Sequence, residues 1–163
     1  MAFTIKKRRH APRAPLARPV SVRAGTAEQV GRGIEVGIGG MSLWVNPAPP
    51  KGQMVTLSFF LPASPRQITA MAEVVWATPP VEGRKASRMG VRFVALSREE
   101  RDEIRAFVNR LARHYRDLNM LLAMNEWKLD QIKALTAKAL VDGYRDIKEL
   151  KDKVRKAMDG FRL

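Results

Sequence analysis

Apolar residues recur at every second position through the first half of the chain. Val20 and Val22 alternate with Ser21 and Arg23, Ile34, Val36 and Ile38 with Glu35 and Gly37, and Met41, Leu43 and Val45 with Ser42 and Trp44. The same spacing returns at Val55, Leu57, Phe59 and Leu61, at Ile68, Ala70, Ala72, Val74 and Trp76, and at Met89, Val91 and Phe93. Side chains two apart share one face of a strand, so each segment offers an apolar face to a common core. Proline- and glycine-rich turns separate them at Pro47 to Gly52, Pro62 to Pro65 and Thr78 to Gly83. Six short strands joined by short turns predict a small antiparallel barrel or sandwich.

The period changes near Ser97. All ten prolines lie at or before Pro80, and the remainder reads as helix. Ser97 and Glu100 form a capping box, in which the serine accepts from the N–H at Glu100 while the glutamate reaches back. Ile104, Phe107, Val108, Leu111, Tyr115 and Leu118 follow on one helical face, the first part of which closes one end of the barrel. From Leu140 the spacing is heptad-like: Leu140, Ile147, Val154 and Phe161 at one core position, Tyr144 and Met158 at the other, with Lys151 interrupting. Gly143 costs about 1 kcal/mol relative to alanine inside a helix and marks a place for a break; Gly160 reads as a C-terminal cap. So long an apolar stripe exceeds what one small barrel can cover. It fits a seam between copies of the chain, a hairpin folded back on its own barrel, or a surface for another protein or a membrane. Alternating charges, as in Lys148-Glu149 and Lys151-Asp152-Lys153, favour a solvated outer face over a lipid-facing one.

Charge narrows the partners. The 163 residues carry a formal net charge of +14, which attracts nucleotides, nucleic acid, anionic lipid or an acidic protein. The chain has no cysteine, so disulfide and thiolate chemistry are excluded and a reducing cytoplasm is the expected compartment. Met1 to Ile5, followed at once by Lys6, is too short an apolar run for a signal peptide, and no run of about eighteen apolar residues offers a membrane span. Catalysis has little to work with: His10 and His114 lie in different halves, outside any zinc or triad spacing, and there is no phosphate-binding loop of the Gly-Lys-Ser/Thr kind. No catalytic residue, metal ligand or cofactor is expected.

The charge is most concentrated ahead of the first strand, in Lys7-Arg8-Arg9-His10-Ala11-Pro12-Arg13. Arginine's planar fork of donors matches phosphate oxygens and the O6/N7 edge of guanine. The arm therefore reads as a site for an anionic, guanine-bearing ligand, or else as a basic tail that adheres to any polyanion. Aromatic residues interleaved with the basic ones would favour nucleic acid, and the arm has none. Further on, Glu35-Val36-Gly37-Ile38-Gly39-Gly40 interrupts two strands; such glycines serve a structural turn or a close approach by a ligand.

Taken together, these pieces resemble a PilZ domain over roughly Lys7 to Leu111. Arg9-His10-Ala11-Pro12-Arg13 supplies that family's RxxxR arm, with Arg8 as the extra arginine before it. Glu35 to Gly40 stands where the family's D/NxSxxG turn belongs, and Gly90-Val91-Arg92-Phe93 leads into the helix as the barrels of the family end. The resemblance implies a six-stranded β-barrel that senses cyclic di-GMP without catalysis, the arm arginines gripping guanine edges and phosphates. Arg8, Arg9, Arg13 and Gly40 match the family's binding positions; Glu35 replaces Asp or Asn with a longer carboxylate, and Gly37 lacks the serine hydroxyl.

A bidentate arginine–guanine pair is worth about 1–3 kcal/mol, and a lost neutral hydrogen bond about 0.5–1.5 kcal/mol. Each departure thus removes about tenfold in affinity and leaves the arm a purchase. The resulting expectation is a flexible arm over 1–13, a barrel with its capping helix over 14–115, and a helical extension over 116–163. The ligand would sit among Arg8, Arg9, Arg13, Glu35, Gly37 and Gly40. Leu140, Tyr144, Ile147, Val154, Met158 and Phe161 would join copies of the chain or engage a protein partner. The alternatives are an oligomeric adaptor of the same fold that no longer binds cyclic di-GMP and, less favoured, a non-specific nucleic-acid binder.

Overall fold

The computed structural model describes residues 11–80, 86–124 and 126–161. Its strands are β1 (Ala14–Pro15), β2 (Pro19–Ala24), β3 (Ala27–Gly37), β4 (Gly40–Val45), β5 (Met54–Phe60), β6 (Gln67–Ala77) and β7 (Ser87–Ala95). Three helices follow: α1 (Arg98–Leu122), α2 (Leu129–Lys138) and α3 (Ile147–Phe161). Strands β3, β2, β5, β6, β7 and β4 pair antiparallel in that order, and β4 pairs back onto β3, so six strands close into a barrel. The two-residue β1 is added outside, against β3. Closure removes every free sheet edge from the barrel proper.

The alternating apolar positions fill the interior. Val20, Val22, Leu43, Leu57, Phe59, Ile68, Val74, Met89 and Val91 are all buried there. Four of the residues expected among them are not: Ile38 and Phe93 are half-buried against the core, and Ile34 and Trp76 are displaced from it. The β3–β4 register slips between Gly33 and Glu35, so Ile34 is an inserted residue and Val36 resumes the inward set. A second slip between Val74 and Trp76 carries the Trp76 ring outside, where it is 37% exposed. Strand β3 also begins earlier than its apolar pattern indicates. Ala27 to Gly33 pair fully with β2 or β4 although they offer the core little, and Val30 is exposed.

Helix α1 starts where the capping box places it. The Glu100 N–H donates to Ser97 Oγ at 3.1 Å, and the Ser97 hydroxyl donates to Glu100 Oε1 at 2.8 Å. The other oxygen of Glu100 accepts from the N–H of Thr69 at 2.7 Å, which ties the helix start to β6. Ile104, Phe107, Val108, Leu111, Tyr115, Leu118 and Leu122 form the buried face, and α1 runs without interruption past Tyr115.

The heptad-like spacing from Leu140 does not make one helix. Leu140 (φ 58°) and Gly143 (φ 67°) adopt left-handed backbone after α2, the chain reverses, and α3 packs on α1. Leu150 and Val154 are fully covered within the chain, and Tyr144, Ile147, Met158 and Phe161 pack against the same core. Leu140 faces outward and is 49% exposed. Gly160, read from the sequence as a cap, lies inside the last turn of α3. Among the described residues, no helix is long and apolar enough to cross a membrane.

Candidate ligand-binding site

The short strand β1 determines where the basic arm meets the barrel. Ala14 pairs with Val36 and Pro15 with Glu35, which lays Pro12 and Arg13 across the end of β3. A Cβ on Gly37 would lie 2.6 Å from the Pro12 carbonyl oxygen and 3.0 Å from Arg13 Cγ. Only glycine admits an arm this close, and the serine of the resembled motif would not fit beneath it. Gly40 is equally constrained: its Cβ would fall 2.1 Å from the Val91 carbonyl oxygen and 3.3 Å from Arg13 Nη2. The guanidinium therefore lies over the glycine-rich corner, and its Nη1 stands 3.7 Å from Glu35 Oε1. Both side chains are mostly shielded, at 20% and 24% exposure.

The end of α3 reaches the same corner. The Arg13 N–H donates to the Gly160 carbonyl oxygen at 2.8 Å. A Cβ on Gly160 would lie 3.0 Å from the Arg13 carbonyl oxygen and 3.7 Å from Glu35 Oε2. Phe161 packs on Tyr115 with ring centroids 5.4 Å apart, which pins this end of α3 to α1.

Beside the corner, between barrel and helices, is a cavity of about 650 Å³ bounded by Ile34, Glu35, Trp44 and Arg88 on the barrel side. Tyr115, Asp142, Lys153 and Lys156 border it on the helical side. Burial pushes the Tyr115 hydroxyl up to about 12, and the nearby Asp142 carboxylate adds to the shift. The Arg88 guanidinium carbon is 5.5 Å from the Trp44 ring centroid and 5.9 Å from that of Trp76, so a cation sits against two indoles on the outer face. Lys153 Nζ donates to the Asp142 carbonyl oxygen at 3.0 Å, which places its charge at the cavity.

Of the binding residues expected from the sequence, Arg13, Glu35, Gly37 and Gly40 thus come together, although 27 positions in the chain separate Arg13 from Gly40. Arg8 and Arg9 lie outside the described residues. Trp44, Arg88, Lys153 and Lys156 were not expected here: they come from β4, β7 and α3, and no spacing in the sequence links them. Among the described residues, no group of three or more His, Asp or Glu stands close enough to hold a metal ion.

The sequence model of the PilZ domain matches residues 7–110. The chain belongs to the PilZ domain family. Solved structures share the fold at low identity. Bacillus subtilis MotI (DgrA), an inhibitor of motility, is 16% identical with a TM-score of 0.57, over 66% of this chain and 53% of that one. The PilZ domain of Escherichia coli YcgR, solved with cyclic di-GMP, is 14% identical with a TM-score of 0.51, over 68% of this chain and 96% of that domain. The K. pneumonia MrkH–cyclic di-GMP complex is 13% identical with a TM-score of 0.54, over 68% and 55%. The PilZ chain described here therefore spans about half the length of MotI and of MrkH. Comparison with curated proteins found no match.

Proposed function

We propose that this PilZ protein is a non-enzymatic receptor for cyclic di-GMP, which passes occupancy on through its helices to a protein partner or to another copy of itself. The observation that carries the reading is the position of Arg13, whose guanidinium lies over Gly40 and beside Glu35. The second arginine of the arm and the glycine turn are thereby two sides of one corner, and Arg8 and Arg9 precede it by only a few residues. Solved PilZ structures with cyclic di-GMP bound, those of YcgR and MrkH, share the fold and support the choice of ligand. Glu35 and Gly37 weaken the second motif relative to the family pattern, so the affinity is modest.

Titration calorimetry of the purified chain with cyclic di-GMP tests this. The expected result is saturable binding that drops at least tenfold in Arg9→Ala and in Arg13→Ala. Absence of heat at high micromolar ligand, or binding indifferent to both substitutions, would sink the reading.

One observation favours the second reading, an adaptor that acts without ligand. Glu35 already stands opposite Arg13, and Gly37 has no side chain to offer a guanine. Assembly through Leu140, Tyr144, Ile147, Val154, Met158 and Phe161 belongs to either reading. It requires α3 to leave α1, because Leu150 and Val154 are buried within the chain. Non-specific nucleic-acid binding predicts an affinity falling linearly with log salt and little preference among polyanions.

A further inference from the structure

We infer that α3 is part of the ligand site: the cavity between barrel and α3 seats one base and one phosphate of the ligand. Trp44 is the wall against the base, and Lys153 and Lys156 are the counter-charges of the phosphate. The inference rests on the proposed cyclic di-GMP reading and extends it to residues outside the RxxxR and glycine-turn motifs.

The size and chemistry of the cavity carry it. At about 650 Å³ it falls within the range of small-molecule pockets. It opens directly beside the Arg13–Glu35 corner, since Glu35 borders both. An indole forms part of its wall, and a flat π-face accepts any base by stacking. Arg88, Lys153 and Lys156 ring it with positive charge. Its two carboxylates, Glu35 and Asp142, leave a surplus of cations at the mouth, because Arg13 stands over Glu35. An anionic purine nucleotide satisfies this combination, whereas an apolar ligand would leave the lysines unmatched.

The consequence is mechanical. A ligand held by barrel and α3 together clamps α3 to the barrel, so occupancy is read out as the tightness of that contact. The site then completes only when the last helix is in place.

The experiment uses the full chain with cyclic di-GMP as the probe, measured by calorimetry and by tryptophan emission in a Trp76→Phe/Trp127→Phe background that leaves Trp44 as the reporter. Lys153→Ala/Lys156→Ala, exposed positions whose loss spares the core, is expected to weaken binding by about tenfold or more, the worth of one charge-assisted hydrogen bond. Lys148→Ala, on α3 but off the cavity, controls for net charge and is expected to bind as the parent does. Trp44 emission is expected to change on saturation. If the double lysine variant binds like the parent while Arg13→Ala does not, α3 is outside the site and the receptor reading stands alone. Unchanged Trp44 emission at saturation likewise overturns the inference. If the parent chain takes up no ligand, both fall together.

Discussion

The backbone N–H of Arg13 donates to the carbonyl oxygen of Gly160 over 2.8 Å, so the final turn of the chain's last helix holds the end of its basic arm. That bond joins residues 147 positions apart and places arm, glycine corner and helix within one small region. A perturbation of any one of them is therefore felt by the other two.

Restoring the family's serine tests the arm. In Gly37→Ser the new Cβ meets the Pro12 carbonyl oxygen at 2.6 Å, and main chain cannot yield there as a side chain would. The arm is expected to lift, and because core residue Ala14 and the Arg13–Gly160 bond are disturbed with it, stability falls by about 1 kcal/mol or more. Limited trypsin digestion should cut after Arg13 several times faster than in the parent, and the urea midpoint should fall. Equal cleavage rates would mean that the arm does not need glycine beneath it.

Gly40→Ala and Gly90→Ala form a matched pair. Each added Cβ would fall 2.1 Å from a neighbour, but for Gly40 that neighbour is the Val91 carbonyl oxygen and for Gly90 it is the Trp76 indole. Backbone in a paired strand has nowhere to go, so Gly40→Ala is expected to cost about 1–3 kcal/mol or more. Trp76 is partly exposed and can swing away, so Gly90→Ala should cost less and shift tryptophan emission. Chemical denaturation with fluorescence detection reads both at once. An equal cost at the two sites would contradict the argument.

Leu150 tests whether the C-terminal seam lies within the chain. It is fully buried on α3, which packs against α1. Leu150→Ala is expected to lose about 2–5 kcal/mol, the range for emptied core sites. Because the contact is intramolecular, the midpoints of parent and variant should not move with protein concentration; a midpoint that rises with concentration would instead place the seam between copies.

Tyr115 gives a pH signature. Its hydroxyl is held up at about 12, by burial first and by Asp142 second, whereas an unfolded tyrosine ionises near 10. Below pH 10 both states keep the proton and nothing is lost. Between 10 and 12 the unfolded chain releases a proton that the fold retains, so stability falls as pH rises, by about 2 kcal/mol at pH 12. Tyr115→Phe should remove that fall relative to the parent in denaturation series run from about pH 9 to about pH 12. Parallel curves for the two proteins would show that Tyr115 ionises like an exposed tyrosine.

The alternation of Val20, Val22, Leu43, Leu57, Val74 and Val91 is enough to identify strands and their inward faces, because side-chain direction in a strand follows from the backbone alone. The same holds for the start of α1, where Ser97 and Glu100 satisfy each other within one turn. The RxxxR arm and the glycine turn were legible as residues, and with them half of the candidate site. Ile34 and Trp76 show where that legibility stops. Each carries the right period, yet one inserted residue in the pairing displaces it, and a bulge depends on the partner strand rather than on the segment itself.

Heptad spacing in residues 140–161 likewise specifies an apolar stripe without saying what covers it. A seam between copies and a hairpin onto α1 draw on the same stripe; within the chain, left-handed turns at Leu140 and Gly143 return α3 to α1 and leave Leu140 facing outward. The cavity beside Arg13 belongs wholly to the tertiary structure. Trp44, Arg88, Lys153 and Lys156 meet there because the barrel closes and α3 returns, contacts between segments as much as 112 residues apart that no local spacing encodes. By itself the sequence determined the strands, the first helix and the basic arm, all products of short-range sterics and burial. Only the fold decided which of their outer faces would line that cavity.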